Sequence, residues 1–88
     1  MVRRAVCLFR CTPGFLVVCT VDGRCVEMAG SAAAIWDALP EPTAPPVPVV
    51  EIVNRLAVEH AMPVSVVAVD VAVVIGSLVE VGCASVAG

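Results

Sequence analysis

The order of turn, helix-start and helix-stop signals is the feature of this sequence that most constrains its fold. Two short apolar runs, residues 6–11 and 15–20, flank Thr12-Pro13-Gly14 and predict two antiparallel strands. Asp22-Gly23 then predicts a second tight hairpin with a short third strand after it. We therefore expect a three-stranded antiparallel sheet at the start of the chain.

The second hairpin also predicts which side chains share a face of the sheet. Asp22-Gly23 favours a type I′ turn, whose two-residue loop would place Val21 opposite Arg24. Directly opposed residues share a face of the sheet. The predicted apolar face consists of Val17, Cys19, Val26 and Met28, and the opposite face carries Cys25 and Glu27.

Helical signals follow the sheet. Ser31 suits a helix N-cap, Ile35 and Trp36 recur at helical spacing with Trp36 expected in the core, and Pro40 ends this helix. Five of the nine residues from 40 to 48 are proline, which predicts a semi-rigid connector. A second amphipathic helix begins near Pro48.

Residues 64–81 are rich in valine, which favours strands, but the length of the segment and its Pro63 and Gly82 boundaries predict a third helix. One side of this helix would carry three valines among polar residues, more apolar surface than a solvated face needs. The residues on that side are Val66, Val69, Asp70, Val73, Ser77 and Glu80.

Together these signals predict an α+β, winged helix-turn-helix-like fold, in which a three-stranded antiparallel sheet precedes three helices. The 88 residues are expected to form a single domain, with a core from about 6 to 85 and the proline-rich connector at 40–48.

Charge and hydropathy decide between several function classes. The net charge of −3 and a third helix without lysine or arginine argue against nucleic acid as a partner. The mean hydropathy of +1.03 would also be compatible with a protein that spans a membrane through residues 64–81. Asp70 near the centre of residues 64–81 argues against it, because a mid-span carboxylate costs roughly 2.5–3.5 kcal/mol. A nucleic-acid-binding winged helix and a small membrane-associated or oligomeric structural subunit remain the alternatives.

The sequence offers little for catalysis or metal binding. It has one histidine, His60, and five cysteines in no C-x-x-C pair, so we expect no catalytic residues, metal site or cofactor. The cysteines are interpreted as small buried hydrophobes of a protein in the reducing cytoplasm, with a disulfide or metal role as the less favoured alternative.

One stretch carries a family resemblance. The run Met28-Ala29-Gly30-Ser31-Ala32-Ala33-Ala34-Ile35-Trp36-Asp37-Ala38-Leu39 resembles the leucine-asparagine-x-threonine-glycine-alanine-x-isoleucine-tryptophan segment of PqqD-like proteins. These are precursor-peptide recognition domains for ribosomally made, modified peptides (RiPPs). Val50-Glu51-Ile52-Val53 resembles the second helix of the family, and Val69-Asp70-Val71 with Gly82 resembles the third. Ala29, Ala32 and Ala61 depart from the usual asparagine and two glycines.

The resemblance implies a peptide-binding role. In this family the leader of the precursor peptide adds as an antiparallel strand to the edge of the third strand, beside the third helix. The implied binding residues are Arg24, Cys25, Val26, Glu27 and Met28 on the edge and Val66, Val69, Asp70, Val73 and Ser77 on the helix.

The small size and the isoleucine-tryptophan pair most resemble the stand-alone lasso-peptide version of the family. That version binds the leader, which typically offers a tyrosine and a proline to an apolar pocket, and presents it to a leader-cleaving cysteine protease. A cyclase is a further expected partner. An exposed strand edge also pairs readily with a second copy, so a dimer is one expected oligomeric state.

Overall fold

The computed structural model describes residues 1–87 and confirms the expected α+β architecture. The elements are β1 (Val2–Arg4), β2 (Leu8–Thr12), β3 (Phe15–Cys19), β4 (Cys25–Ala29), α1 (Ala32–Ala38), α2 (Val49–Glu59), α3 (Val64–Val81) and β5 (Ala84–Val86). Strands β2, β3 and β4 form an antiparallel sheet in that order, and three helices follow it. The closer likeness to a winged helix-turn-helix stays a prediction.

The β3–β4 register differs by one residue from the prediction. Cys19 lies opposite Cys25 and Val18 opposite Val26. Thr20 therefore faces Arg24, and the loop between them contains three residues, 21–23, instead of two. The backbone N–H of Thr20 donates to the Arg24 carbonyl at 2.7 Å, and the Thr20 hydroxyl accepts from the Arg24 N–H at 3.0 Å. Only Gly23 in the loop has a positive φ, at 91°, which rules out the type I′ turn.

This shift exchanges the faces of β3. Leu16 and Val18 are completely buried, and Val26 and Met28 of β4 share that inner face and are half-buried. The prediction was therefore correct for the β4 residues but wrong for Val17 and Cys19, which lie on the outer face. A one-residue slip moves every side chain of a strand to the other face, so burial of Leu16 and Val18 selects the observed register.

The core lies between the inner face of the sheet and the three helices. Trp36 of α1 is completely buried, as expected, next to Phe9 at 5.1 Å between ring centroids. The guanidinium of Arg4 lies 4.8 Å from the Trp36 ring and donates from Nε and Nη2 to the Trp36 carbonyl at 3.0 and 2.7 Å. Ser31 precedes α1 as its N-cap, but its side chain makes no capping hydrogen bond.

A second, two-stranded sheet joins the two ends of the described chain and was not predicted. β1 pairs antiparallel with β5, and Val2, which the expected core of 6–85 leaves out, is completely buried. Val2 also exchanges two backbone hydrogen bonds with Val47, and the Arg4 N–H donates to the Pro40 carbonyl. Both ends of the proline-rich connector are thus anchored to β1.

Helix α3 packs mainly against α2, with smaller contacts to α1 and β5. It ends at Gly82, whose left-handed φ of 89° lets its N–H bond back to the Leu78 and Val79 carbonyls. By length and hydropathy it would be long enough to cross a membrane. One stripe of it instead contributes to the hydrophobic core: Val67, Val71, Val74, Ile75 and Leu78.

Candidate functional site

The outer edge of β4 presents unpaired backbone groups at alternate residues. In an antiparallel pair, hydrogen-bonded and non-hydrogen-bonded positions alternate. The Thr20–Arg24 bond and the bond from the Gly30 N–H to the Gly14 carbonyl, 3.1 Å, fix the phase of the β3–β4 ladder. Residues 24, 26, 28 and 30 therefore face β3, whereas the N–H and C=O groups of Cys25, Glu27 and Ala29 point away from the sheet.

None of these outward groups has a backbone partner within residues 1–87. An edge of this kind is a template for another extended chain. Three alternate residues supply six backbone donors and acceptors, which matches one short added strand.

The two ends of helix α3 lie towards opposite ends of β4. Near its start, Val67 and Asp70 line the same cavity as Gly30, which follows β4. Gly82, just after its end, lies close to Arg24, which precedes β4: a Cβ atom placed on Gly82 would be 3.8 Å from the Nη2 of Arg24. The two ends of α3 therefore flank the two ends of the strand.

A row of half-buried residues marks the border between the buried and exposed sides of α3. Asp70, Ser77 and Val81 are spaced by seven and four residues and so share one line on the helix. The Ser77 hydroxyl donates to the Val73 carbonyl at 3.1 Å, which leaves its lone pairs available. We call the space between the outward backbone of Cys25, Glu27 and Ala29 and this row of α3 the β4–α3 slot.

The three predicted valines lie on the exposed side of α3, opposite the buried stripe. Val66, Val69 and Val73 are 44, 63 and 64% exposed. Uncovered valines at this density on one helix face form an apolar surface available to a partner. Val66, Val69 and Val73 do not line the cavity, whereas Val67, which is not among the predicted binding residues, does.

The cavity has a volume of about 490 Å³ and opens at the Ala29 end of β4. Helix α1 contributes to its lining with the buried Ala33, the half-buried Ala34 and the exposed Asp37. The β2–β3 turn and the α2–α3 corner contribute Pro13 and Met62. Apolar lining with a few polar groups at the rim is the usual character of a side-chain or ligand pocket. Periodicity alone could not reveal it, because three separate parts of the chain form it.

Charges are sparse around the slot. Arg24 forms an exposed ion pair with Asp22, at 3.4 Å between Nε and Oδ2. A hydrogen bond from the Thr20 hydroxyl lowers the pKa of the Asp22 carboxyl, with a further contribution from Arg24. Asp70 is the half-buried carboxylate on the α3 side. Glu27 is exposed on the outer face of the sheet, away from the slot.

The cysteines behave differently from the prediction. Cys19 and Cys25 form a disulfide between β3 and β4, so for these two residues the expectation of reduced, buried thiols is wrong. The one-residue register shift brings them opposite each other. Cys7, Cys11 and Cys83 are free. Burial and the neighbouring Cys83 raise the pKa of the Cys7 thiol to about 11.

No cluster of three or more His, Cys, Asp or Glu side chains suited to a metal ion occurs in residues 1–87. His60 is exposed at the C-cap of α2 and lines the cavity beside Asp70. What the arrangement offers chemically is a strand edge, an apolar helix flank and an adjoining pocket, all suited to binding.

Comparison with known proteins assigns the chain to a family. The family model for coenzyme PQQ synthesis protein D (PqqD) matches residues 15–83, which include β3, β4 and all three helices. No curated protein and no solved structure matches the chain. PqqD-type domains are non-catalytic and bind the precursor peptides of RiPP pathways. The chain belongs to the PqqD family, the RiPP recognition elements.

Proposed function

We propose that this protein binds the leader segment of a RiPP precursor by adding it as a strand to β4. The unpaired outward backbone of Cys25, Glu27 and Ala29 is the observation that carries this proposal. The main chain of an added antiparallel strand would bond to these three residues, largely independently of its sequence.

Selectivity would come from the surfaces on either side of that strand. Side chains of an extended peptide alternate between two directions. One set would lie in the β4–α3 slot against Val26 and Met28, whose inner-face side chains are only half-buried. Asp70 and Ser77 would offer polar contacts there.

The cavity beside Ala29 would take one large apolar side chain of the leader. A peptide paired along β4 would reach it directly beyond the last outward backbone group. A volume of about 490 Å³ accommodates an aromatic side chain with room to spare. This fits the tyrosine and proline that lasso-peptide leaders offer.

The bound leader would then be delivered to a separate leader-cleaving cysteine protease in lasso-peptide biosynthesis, with a cyclase closing the ring afterwards. The protein itself performs no chemistry in this scheme. Such maturation takes place in the cytoplasm, where the precursor is made. The exposed side chains of Val66, Val69 and Val73 would add an apolar wall next to the slot.

Titration with a synthetic leader of the precursor encoded beside this gene tests the proposal. We expect saturable binding in the micromolar range or tighter, measured by fluorescence anisotropy of the labelled peptide. Val73→Asp should weaken it about 5- to 30-fold, because it places a charge on the apolar wall at roughly 1–2 kcal/mol.

Val58→Asp is the matched control, since Val58 is a highly exposed valine on α2, away from the slot. It should bind as the wild type does. Absence of saturable binding by the wild type would reject the proposed function. Equal weakening by both variants would remove Val73 from the site.

A further inference from the structure

The Cys19–Cys25 disulfide lies at the loop end of the proposed binding edge. It joins β3 to β4 at the last pair of the two strands, one pair before the three-residue loop that Thr20 and Arg24 close, on the outer face of the sheet. Cys25 is exposed and Cys19 is half-buried, so solvent-borne thiols have access to the bond.

The same residue, Cys25, supplies the first outward-facing backbone groups of β4. Its side chain is therefore covalently fixed to the central strand, while its N–H and C=O face the slot. Without the S–S bond this end of β4 would be held by the Thr20–Arg24 hydrogen bonds and the exposed Asp22–Arg24 ion pair. An exposed ion pair contributes little.

We propose that Cys19 and Cys25 form a thiol–disulfide exchange site that sets the affinity of the β4 edge for its peptide. This rests on the proposed function. Disulfides in a reducing compartment are usually transient and redox-sensing, whereas a purely structural one suits an oxidising compartment. The position of this pair on the binding edge connects its redox state to peptide binding.

The exchange partner is a low-molecular-weight disulfide of the glutathione class. The thiolate of the more exposed Cys25 attacks one sulfur of glutathione disulfide and releases one glutathione thiolate. The thiolate of Cys19 then attacks the Cys25 sulfur of the mixed disulfide, which forms the Cys19–Cys25 bond and releases the second glutathione. The protein loses two electrons and two protons, and glutathione disulfide gains them.

Oxidation would preorganise the edge. The bond closes a short loop, with a sequence separation of 6, and so restricts the open forms of the hairpin that compete with peptide pairing. We expect reduction to raise the Kd for the leader about three- to tenfold, because the more open hairpin must then be ordered when the peptide binds.

The test compares oxidised and reduced full-length protein in the anisotropy titration, with the synthetic leader of the adjacent precursor as the probe. A parallel equilibration in glutathione buffers, from cytosolic to more oxidising ratios, is read by alkylation and mass spectrometry of Cys19 and Cys25. We expect the pair to convert within that range and the Kd to rise on reduction. Far-UV circular dichroism of the reduced protein checks that it stays folded.

Two variants distinguish the effect of the hairpin disulfide on peptide binding from any effect of the other cysteines. A Cys19→Ser/Cys25→Ser double variant should bind like the reduced wild type in both conditions. Cys7→Ala, which removes a cysteine outside the hairpin, should keep the full redox response. Binding by the oxidised protein that does not change on reduction, or a pair that never converts, overturns the exchange site. No binding in either state instead rejects the proposed function.

Discussion

Glu27→Pro tests the orientation of the β4 edge directly, because it removes one outward backbone donor and leaves the ladder to β3 complete. The β3–β4 register places the Glu27 N–H on the free side of the strand. Proline is tolerated at edge positions of this kind, where the missing N–H would face solvent.

The expected loss of affinity follows from two effects. Loss of one backbone hydrogen bond costs about 0.5–1.5 kcal/mol. The pyrrolidine ring also occupies the place that the carbonyl of the incoming strand needs. Together they should raise the Kd at least about tenfold, since about 1.4 kcal/mol corresponds to a factor of ten.

Val26→Pro is the contrasting variant. The Val26 N–H faces β3 at a hydrogen-bonded position, opposite Val18. Removing this N–H leaves the buried Val18 carbonyl without its donor, which should lower the unfolding free energy by about 1–3 kcal/mol. For a domain of this size each kcal/mol lowers the Tm by about 4–8 °C. Glu27→Pro should change the Tm much less.

The assay combines thermal unfolding by circular dichroism with the anisotropy titration. Glu27→Ala serves as the control that keeps the backbone donor, and it should bind within about twofold of the wild type because its side chain points away from the slot. The reasoning would be refuted if Glu27→Pro bound the leader normally, or if it unfolded as readily as Val26→Pro.

Three further predictions concern stability. Arg4→Lys should lower the unfolding free energy by about 1–2 kcal/mol in urea titrations, because lysine cannot donate two hydrogen bonds to the Trp36 carbonyl as the arginine does. An unchanged urea midpoint would contradict this. Gly82→Ala should cost about 1–2 kcal/mol, read as a lower Tm, since φ at Gly82 is 89°; wild-type stability would show that α3 can end otherwise. Burial raises the pKa of Cys7 from 9.0 to about 11, so its contribution to stability is complete below pH 9 and is lost as the pH rises to about 11. The stability of the wild type relative to Cys7→Ala should therefore fall over that interval in urea titrations at several pH values, and a constant difference would refute the assignment.

The order of the elements could be predicted from sequence because their signals are local. Gly and Pro at the boundaries, and the spacing of Ile35 and Trp36, mark strands and helices without reference to distant residues. The family resemblance rests on the same segments, and the match over residues 15–83 confirms it.

The register of the second hairpin could not be predicted in this way. Asp22-Gly23 favours a two-residue loop locally, but burial of Leu16 and Val18 together with the Thr20 hydroxyl contact selects three residues. The disulfide was missed for the same reason, since the predicted register placed Thr20 instead of Cys19 opposite Cys25.

Two other features depend on long-range contacts. Pairing of β1 with β5 joins residues from opposite ends of the described chain, and no periodic pattern reports it. A 3.6-residue period predicts that the buried side of α3 carries Val64, Ala68, Val71, Ile75, Leu78 and Val79. This is only partly correct, because valine occurs on every side of that helix and the pattern alone does not fix its rotation. Val67 and Val74 face the core, whereas Val64 and Val79 remain exposed.

Amide hydrogen exchange of the protein with and without the leader peptide, followed residue by residue by NMR, tests the central claim most directly. Val26 and Met28 should be protected in both states, because their N–H groups already bond to β3. Cys25, Glu27 and Ala29 should become protected only when the peptide is bound. Protection that appears on the outer edge of β2, or nowhere in the sheet, would contradict strand addition at β4.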